Sequence, residues 1–301
     1  MIPVFVILAI ILGFLLLFYV MVLNISKGIY RSFSSHVSSE YAYSSASEDS
    51  LWYGYIKKMN EALDYIMTLN PNEIYIQGLD DIKLHGYFIN NNSDTTVVFH
   101  HAYSSNGLKE GAVLAKMYYE KGYNVILATQ RNHDKSEGDY VTFGVLEKND
   151  CIAWEEYILN NIGPNVIHHG LSMGANAILL ASNKLKAKKI IVEAAYNNPK
   201  DFILNGFKTN GFFITMVAKM VIKRYKNMAQ VDLDISATDV LKETNIPILF
   251  IGCKGENTDL VIFESYSGIK ERIEIDGALH GSCLYTDYDK CCNAIIDFID
   301  K

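Results

Sequence analysis

Four absences frame this chain of 301 residues. It has no excess of positive charge: 27 Lys and Arg stand against 34 Asp and Glu, for a formal net charge of −7. Recognition of nucleic acid relies on a basic patch or stripe, so the composition argues against that class of partner. It has no cysteine framework. Cys151, Cys253, Cys283, Cys291 and Cys292 are odd in number and irregular in spacing, which fits a reducing compartment better than a disulfide-stapled scaffold. No glycine-rich phosphate loop follows an apolar run, so nothing marks a nucleotide site. Finally, there is no internal repeat.

A fifth absence is local. Residues 2–23 contain no charged side chain. As a helix they would rise about 33 Å at 1.5 Å per residue, enough to cross a hydrocarbon core of about 30 Å. A helix of that length in a protein core shows a polar face, and this one has none. A cleaved signal peptide needs a basic start and a small-residue cleavage site, and neither is present. An uncleaved single-pass membrane anchor is therefore expected. Lys27 and Arg31 follow the span, and the positive-inside rule then places the rest of the chain in the cytoplasm.

What remains suits one sizeable domain. Half of the residues are hydrophobic and a fifth are charged. Residues 32–50 hold nine serines and read as a spacer. Residues 51–69 carry apolar side chains at helical spacing, as a helix packed on the domain would. Eight strand-like segments follow, at 73–77, 83–90, 96–100, 124–129, 165–169, 189–193, 247–252 and 270–275. Several are continuous apolar runs, such as Val97-Val98-Phe99 and Ile248-Leu249-Phe250-Ile251, the pattern of strands buried on both faces. Helical segments at 109–120, 151–160, 173–185, 260–267 and 287–299 alternate with them. The expected fold is α/β, a mostly parallel eight-stranded sheet with helices on both faces. Residues 197–231 interrupt the alternation. They are rich in Phe and Met, with Lys208, Lys219, Lys223, Arg224 and Lys226 interleaved. The segment is too long for a plain connection and reads as a small helical cap over a pocket.

The sharpest signal lies at Gly170-Leu171-Ser172-Met173-Gly174. Chance placement of the glycines and serines gives about 0.09 Gly-x-Ser-x-Gly matches in a chain of this composition, so the pattern alone is weak. Its context strengthens it, because an apolar strand runs in and a helix of small residues runs out. That is the setting of a nucleophile elbow, where a strained turn lifts a serine out of the sheet. A side chain at position 170 or 174 would collide with the returning chain.

A serine hydroxyl needs a base, the base needs an orienting acid, and the nascent oxyanion needs donors. In an elbow enzyme the order along the chain is Ser, acid, His. His280 follows the last strand and is the only one of eight histidines in that order and loop. The acid belongs after the 247–252 strand, where Glu256 is the first choice and Asp259 the alternative. The amides of Met173 and Tyr103 are the expected oxyanion donors.

The stretches 101–106 (HAYSSN), 131–138 (RNHDKSEG) and 170–175 (GLSMGA) resemble signature segments of bacterial α/β-hydrolases. The resemblance is to the membrane-anchored, serine aminopeptidase-like (S33-type) branch, similar to Bem46-type proteins, and it runs from about residue 73 to the C-terminus. Residues 143–147 and 277–280 fit it as well. It implies an α/β-hydrolase fold, a Ser–Asp–His triad and esterase or peptidase-like chemistry. This chain departs from the pattern at Ala102, where Gly is usual, at Asn132 in place of Gly, and at Glu256, where Asp is usual. The Ala102 methyl is expected to narrow the oxyanion pocket.

The histidine pairs 100–101 and 168–169 cannot chelate as neighbours, since adjacent strand residues point to opposite faces. No metal or cofactor is expected. The greasy cap favours esters or thioesters with an apolar acyl group. Peptide or amide cleavage, and a catalytically weak binding protein of the same fold, are the alternatives. The basic edge formed by Lys219, Lys223 and Arg224 is a candidate contact for lipid headgroups.

Overall fold

The computed structural model describes residues 3–38, 50–207 and 211–301. Helix α1 (Val4–Ser34) leads to α2 (Leu51–Thr68), then β1 (Asn72–Gln77), β2 (Lys83–Ile89), β3 (Thr95–His100), α3 (Gly107–Glu120) and β4 (Asn124–Thr129). Next come α4 (Glu147–Asn161), β5 (Asn165–Leu171), α5 (Met173–Ala181), β6 (Lys189–Glu193), α6 (Pro199–Gly206) and α7 (Phe212–Arg224). The chain closes with α8 (Ala237–Val240), β7 (Ile248–Cys253), α9 (Leu260–Ser265), β8 (Lys270–Ile275), α10 (Cys283–Thr286) and α11 (Tyr288–Asp300).

The eight strands form one sheet in the order β1-β2-β4-β3-β5-β6-β7-β8. β3 to β8 are mutually parallel, and β2 is antiparallel to both of its neighbours. The sheet is thus mixed, with β2 alone reversed. The apolar runs explain the layering. In β3, Val97 and Phe99 join one core with Tyr55, Met59 and Ile66 of α2 and Tyr118 of α3. Val98, between them, joins the opposite core with Trp154 and Ile158 of α4. Period-two alternation therefore buries both faces, and helices cover each. On α2 the buried residues Tyr55, Met59, Ala62 and Ile66 recur at helical spacing, and the Ser50 hydroxyl caps the first turn by accepting from the Tyr53 amide at 3.3 Å.

Helix α1 is the one helix among the described residues long and apolar enough to cross a membrane. An 18-residue window of it has a mean hydropathy of 3.1 and is only 6 % buried, so it is not a core helix of this fold. The helix runs on past residue 23. Its later turns bury Val22, Ser26, Tyr30 and Ser34, one residue every fourth position. Of residues 32–38, expected to start a spacer, Ser34 is buried and Phe33 and Val37 are half-buried. Val37 bridges to His133, donating to the Asn132 carbonyl and accepting from the Asp134 amide. Ser34 Oγ donates to the Tyr30 carbonyl at 2.7 Å, and the Ser32 and Ser34 carbonyls accept from the Tyr103 hydroxyl and the Asn132 side-chain amide. The spacer boundary moves accordingly, and residues 39–49, the rest of that stretch, lie outside the described residues, as does Lys208 of the cap. The cap itself consists of α6, α7 and a π-helical turn at Tyr225–Ala229.

Candidate active site

Ser172 stands between β5 and α5 with φ 51° and ψ −106°. A non-glycine residue rarely holds such a φ, so the surroundings must enforce it. The Ser172 amide donates to the Glu193 carbonyl, and the Ser172 carbonyl accepts from the Asn176 amide, each at 2.9 Å. The flanking glycines are required by space. A Cβ on Gly170 would lie 2.5 Å from Ile178 Cδ1 and 2.6 Å from the Ala175 nitrogen, and one on Gly174 would overlap the His100 carbonyl. Because the obstacle at Gly174 is backbone, Gly174→Ala should lower the unfolding free energy by about 3 kcal/mol. Urea denaturation checks this; a loss below about 1 kcal/mol would mean that the turn relaxes freely.

The loop after β8 brings His280 over the turn. Its Nε2 lies 2.8 Å from Ser172 Oγ, and its Nδ1 lies 2.7 Å from Glu256 Oε1. A carboxylate can only accept, so Nδ1 carries the proton and the Nε2 lone pair faces the serine hydroxyl. The hydrogen bond from His280 holds the Glu256 carboxyl below its ordinary range, against the opposing effect of burial. Glu256 reaches this place through a turn after β7, in which its amide donates to the Cys253 carbonyl and Gly255 takes φ 90°.

Asp259 is not brought to His280. It is 2 % exposed and accepts from Arg272 Nε at 3.0 Å and Nη2 at 3.2 Å. It clamps the β7–β8 edge of the sheet.

Met173 follows Ser172 at the start of α5, and Tyr103 stands in the loop after β3. Among the described residues neither backbone N–H meets an acceptor within the chain. The preceding residue behaves differently: the Ala102 amide donates to Glu110 Oε2 at 2.6 Å, and Ala102 packs against the main core. Ser104, with φ 60°, turns the chain towards α3. The Tyr103 ring packs on Phe143 and His133, with centroids at 5.1 and 6.3 Å, and its hydroxyl donates to the Ser32 carbonyl at 3.2 Å. His133 is itself part of a buried support. Arg131 pairs with Asp150 at 2.6 Å and Asp80 at 2.7 Å, and His133 Nδ1 donates to the Arg131 carbonyl at 2.9 Å.

Beside Glu256 lies a cavity of about 870 Å³. One side of its wall carries Phe33 from α1, Tyr103, Phe143, Tyr196, Phe202 and Phe207, and polar residues including Asn197, Asn198, Asp201, Asn205 and Glu256 line the rest. The Phe202 ring sits 6.0 Å from the His280 ring. His100 and His168 meet across β3 and β5, with His100 Nε2 3.1 Å from His168 Nδ1 and the rings stacked. Among the described residues no group of three or more His, Cys, Asp or Glu is arranged to hold a metal ion.

Sequence reasoning passed over Glu193. It ends an apolar strand and carries no motif, but the fold buries it beside the loop after β8, where its Oε1 accepts from the Cys283 amide at 2.9 Å. Burial, above all, pushes its carboxyl up from 4.5 to about 7, while the Cys283 amide opposes the shift. The folded chain therefore binds more protons than the unfolded chain between these values, and stability falls as pH rises from about 4.5 to about 7. The loss reaches at most about 3 kcal/mol. Glu193→Gln keeps an acceptor for Cys283 and should remove this loss. The gap in unfolding free energy between variant and parent should widen over that window and then stay level; parallel pH profiles would contradict it.

Comparison with solved structures gives the fold. An esterase of Pyrococcus furiosus superposes with a TM-score of 0.64 at 19 % identity, over 78 % of this chain and 92 % of that one. An esterase of Exiguobacterium antarcticum gives 0.58 at 17 % identity, over 76 % of this chain and 100 % of that one. A Xanthomonas campestris member of the α/β serine hydrolases, described as lacking a lid, gives 0.54 at 14 % identity, over 76 % and 94 % of the two chains. The chain has the α/β-hydrolase fold. No family model matches it, and no curated protein matches it significantly in sequence.

Proposed function

We propose that the chain is a membrane-anchored serine hydrolase that cleaves an ester or thioester carrying an apolar acyl group, with its catalytic domain on the cytoplasmic side. The observation that carries the reading is the unbroken relay from Ser172 Oγ through His280 to Glu256, with links of 2.8 and 2.7 Å. Solved structures of the same fold, described as esterases, support the reaction class.

In this scheme His280 Nε2 takes the Ser172 proton as Oγ attacks the carbonyl carbon. The carbonyl oxygen becomes an oxyanion held by the Met173 and Tyr103 amides, and the neighbouring helix terminus favours that charge. The carbon–heteroatom bond then breaks, and the imidazolium returns the proton to the departing alcohol or thiol. Water, deprotonated by the same imidazole, attacks the acyl-enzyme and frees the acid and Ser172. Glu256 keeps the Nδ1 proton in place and stabilises the imidazolium. The scheme needs no cofactor. Glu256 in place of Asp preserves the interaction, because either carboxylate can accept from Nδ1.

The six aromatic side chains of the cavity favour an apolar acyl chain, which would pack against them. The S33-type resemblance makes aminoacyl anilides the proper competitor substrates. A panel of p-nitrophenyl esters of increasing chain length, run beside aminoacyl p-nitroanilides, should give the higher kcat/KM with medium or long esters. Higher values for the anilides would make the chain a peptidase. No turnover and no fluorophosphonate labelling in well-folded protein would make it a binding protein.

A further inference from the structure

We infer that the cap helix α7 is a second membrane-embedded element, seated beside α1 in the surface of an anionic bilayer, and that the pocket draws an ester or thioester amphiphile from that surface. The first half stands independently; the second rests on the hydrolase reading.

α1 and α7 lie side by side and run in the same direction. The Phe18 ring meets Phe213 at 5.6 Å, and the Tyr30 ring meets Tyr225 at 4.9 Å. Both pairs are offset by 195 positions, so equal steps along the two helices keep them level. Between them, Arg224 Nη2 donates to the Leu23 carbonyl at 2.8 Å and Nε to Ser26 Oγ at 3.1 Å, which locks the register.

That register aligns two sequence boundaries. On α1 the uncharged run ends at Leu23. On α7 the first charge is Lys219, which is level with Asn24. Below this height both helices are apolar; above it both are basic. Lys27 and Arg31 on one side, and Lys219, Lys223 and Lys226 on the other, are all exposed. Neither α1 nor residues 212–229 contain an acidic residue, although the chain as a whole has a net charge of −7. Among the described residues no carboxylate pairs with any of these five cations.

Water is a poor environment for the lower part of α7. Phe212 is 78 % exposed, more than any apolar residue described in α1, where Val4 reaches 73 %. Phe213, Ile214 and Met216 are half-exposed. From Lys219 down to Phe212 is seven residues, a depth of about 10 Å along an axis parallel to α1. An anionic bilayer satisfies both the apolar turns and the lysine belt, and it is continuous with the layer that α1 would cross.

The pocket begins where the belt ends. Phe33, two residues beyond Arg31, forms part of its wall, packing on Phe207 of the cap at 6.3 Å and on Tyr103 of the oxyanion loop at 6.3 Å. The same helix that would cross the bilayer therefore supplies a wall of the acyl cavity.

Full-length protein reconstituted in vesicles of equal parts phosphatidylcholine and phosphatidylglycerol, with a diazirine on the acyl chain, tests both halves. Photolysis and peptide mapping should place adducts on residues 212–218 as well as on α1, and none on Ile269, which is 67 % exposed and does not line the cavity. Phe212→Lys, at a site without packing to lose, and Lys219→Glu with Lys223→Glu should each lower the α7 adducts about fivefold or more. The α1 adducts should be unchanged. Adducts on α1 but not on α7 would overturn the embedding. For the second half, Phe212→Lys should slow hydrolysis of a vesicle-borne long-chain ester severalfold and leave a soluble short-chain ester unaffected. Equal rates on the vesicle-borne ester would overturn the bilayer source. If α7 is labelled but neither ester is cleaved and Ser172 takes no fluorophosphonate, the hydrolase reading fails while the embedding stands.

Discussion

Replacing Ser172 with Ala should reduce kcat for the best ester by about 10⁶-fold, as expected where nucleophile and base act as a unit. The fold should survive. Ser172 is 6 % exposed, and its hydroxyl has His280 as its recorded side-chain partner, so the variant loses one hydrogen bond and almost no packing. That costs about 1 kcal/mol. The backbone conformation at φ 51° is held by the Glu193 carbonyl and the Asn176 amide, which the substitution does not touch. A second substitution, His280→Ala, should then add little, because a base without its nucleophile has no proton to take. Single-turnover kinetics on both variants, with circular dichroism as the folding control, measure this. A fall of tenfold or less in Ser172→Ala would place the chemistry elsewhere.

The second large effect separates two carboxylates three residues apart. Glu256→Gln should lower kcat by about 10⁴-fold, the scale of losing the group that fixes the imidazole tautomer. Stability at neutral pH should fall only slightly, by the contribution of the hydrogen bond to His280, since the Glu256 side chain is 30 % exposed. The depressed pKa of Glu256 carries a sign. Its hydrogen bond with His280 contributes stability above pH 4.5 and loses it as pH falls through the lower folded value, so the variant should lack that part of the acid-induced loss. Asp259→Asn should behave in the opposite way. Turnover should stay within about threefold, while unfolding becomes easier by about 2 kcal/mol or more, because Arg272 is left with Glu274 as its remaining recorded carboxylate partner. If Asp259→Asn abolishes turnover and Glu256→Gln does not, the roles are reversed.

These two carboxylates also mark how far the sequence could be read. The elbow was legible because its chemistry and its sterics both leave local traces: two glycines, a strand before and a helix after. His280 was legible through chain order. Glu256 and Asp259, by contrast, look alike in one loop, and what distinguishes them is Arg272 on the adjacent strand, a pairing set by the β7–β8 register. Glu193 left no trace for the same reason. As the last residue of an apolar strand it reads as a boundary, and only the tertiary position of Cys283 makes it a buried carboxyl.

Helix α1 shows the converse limit. The apolar run ends at residue 23, yet the helix continues past Lys27 and Arg31 to Ser34. Its inner face past the span includes Ser26 and Ser34, which a hydrophobic periodicity passes over, and their partners, Arg224 and the Tyr30 carbonyl, are polar. Hydropathy thus located the apolar part of the helix but not the part that lines the pocket. The strand segments were visible as apolar runs, whereas the reversal of β2 depends on pairing with β4, which no local pattern encodes.

The role of Ser172 stands or falls on one mass spectrum. Full-length protein treated with a fluorophosphonate and digested should yield a single modified peptide, with the phosphonyl group on Ser172, and His280→Ala should suppress it. An adduct on any other residue, or none in protein that retains its folded far-ultraviolet spectrum, would contradict the nucleophile and every step drawn from it.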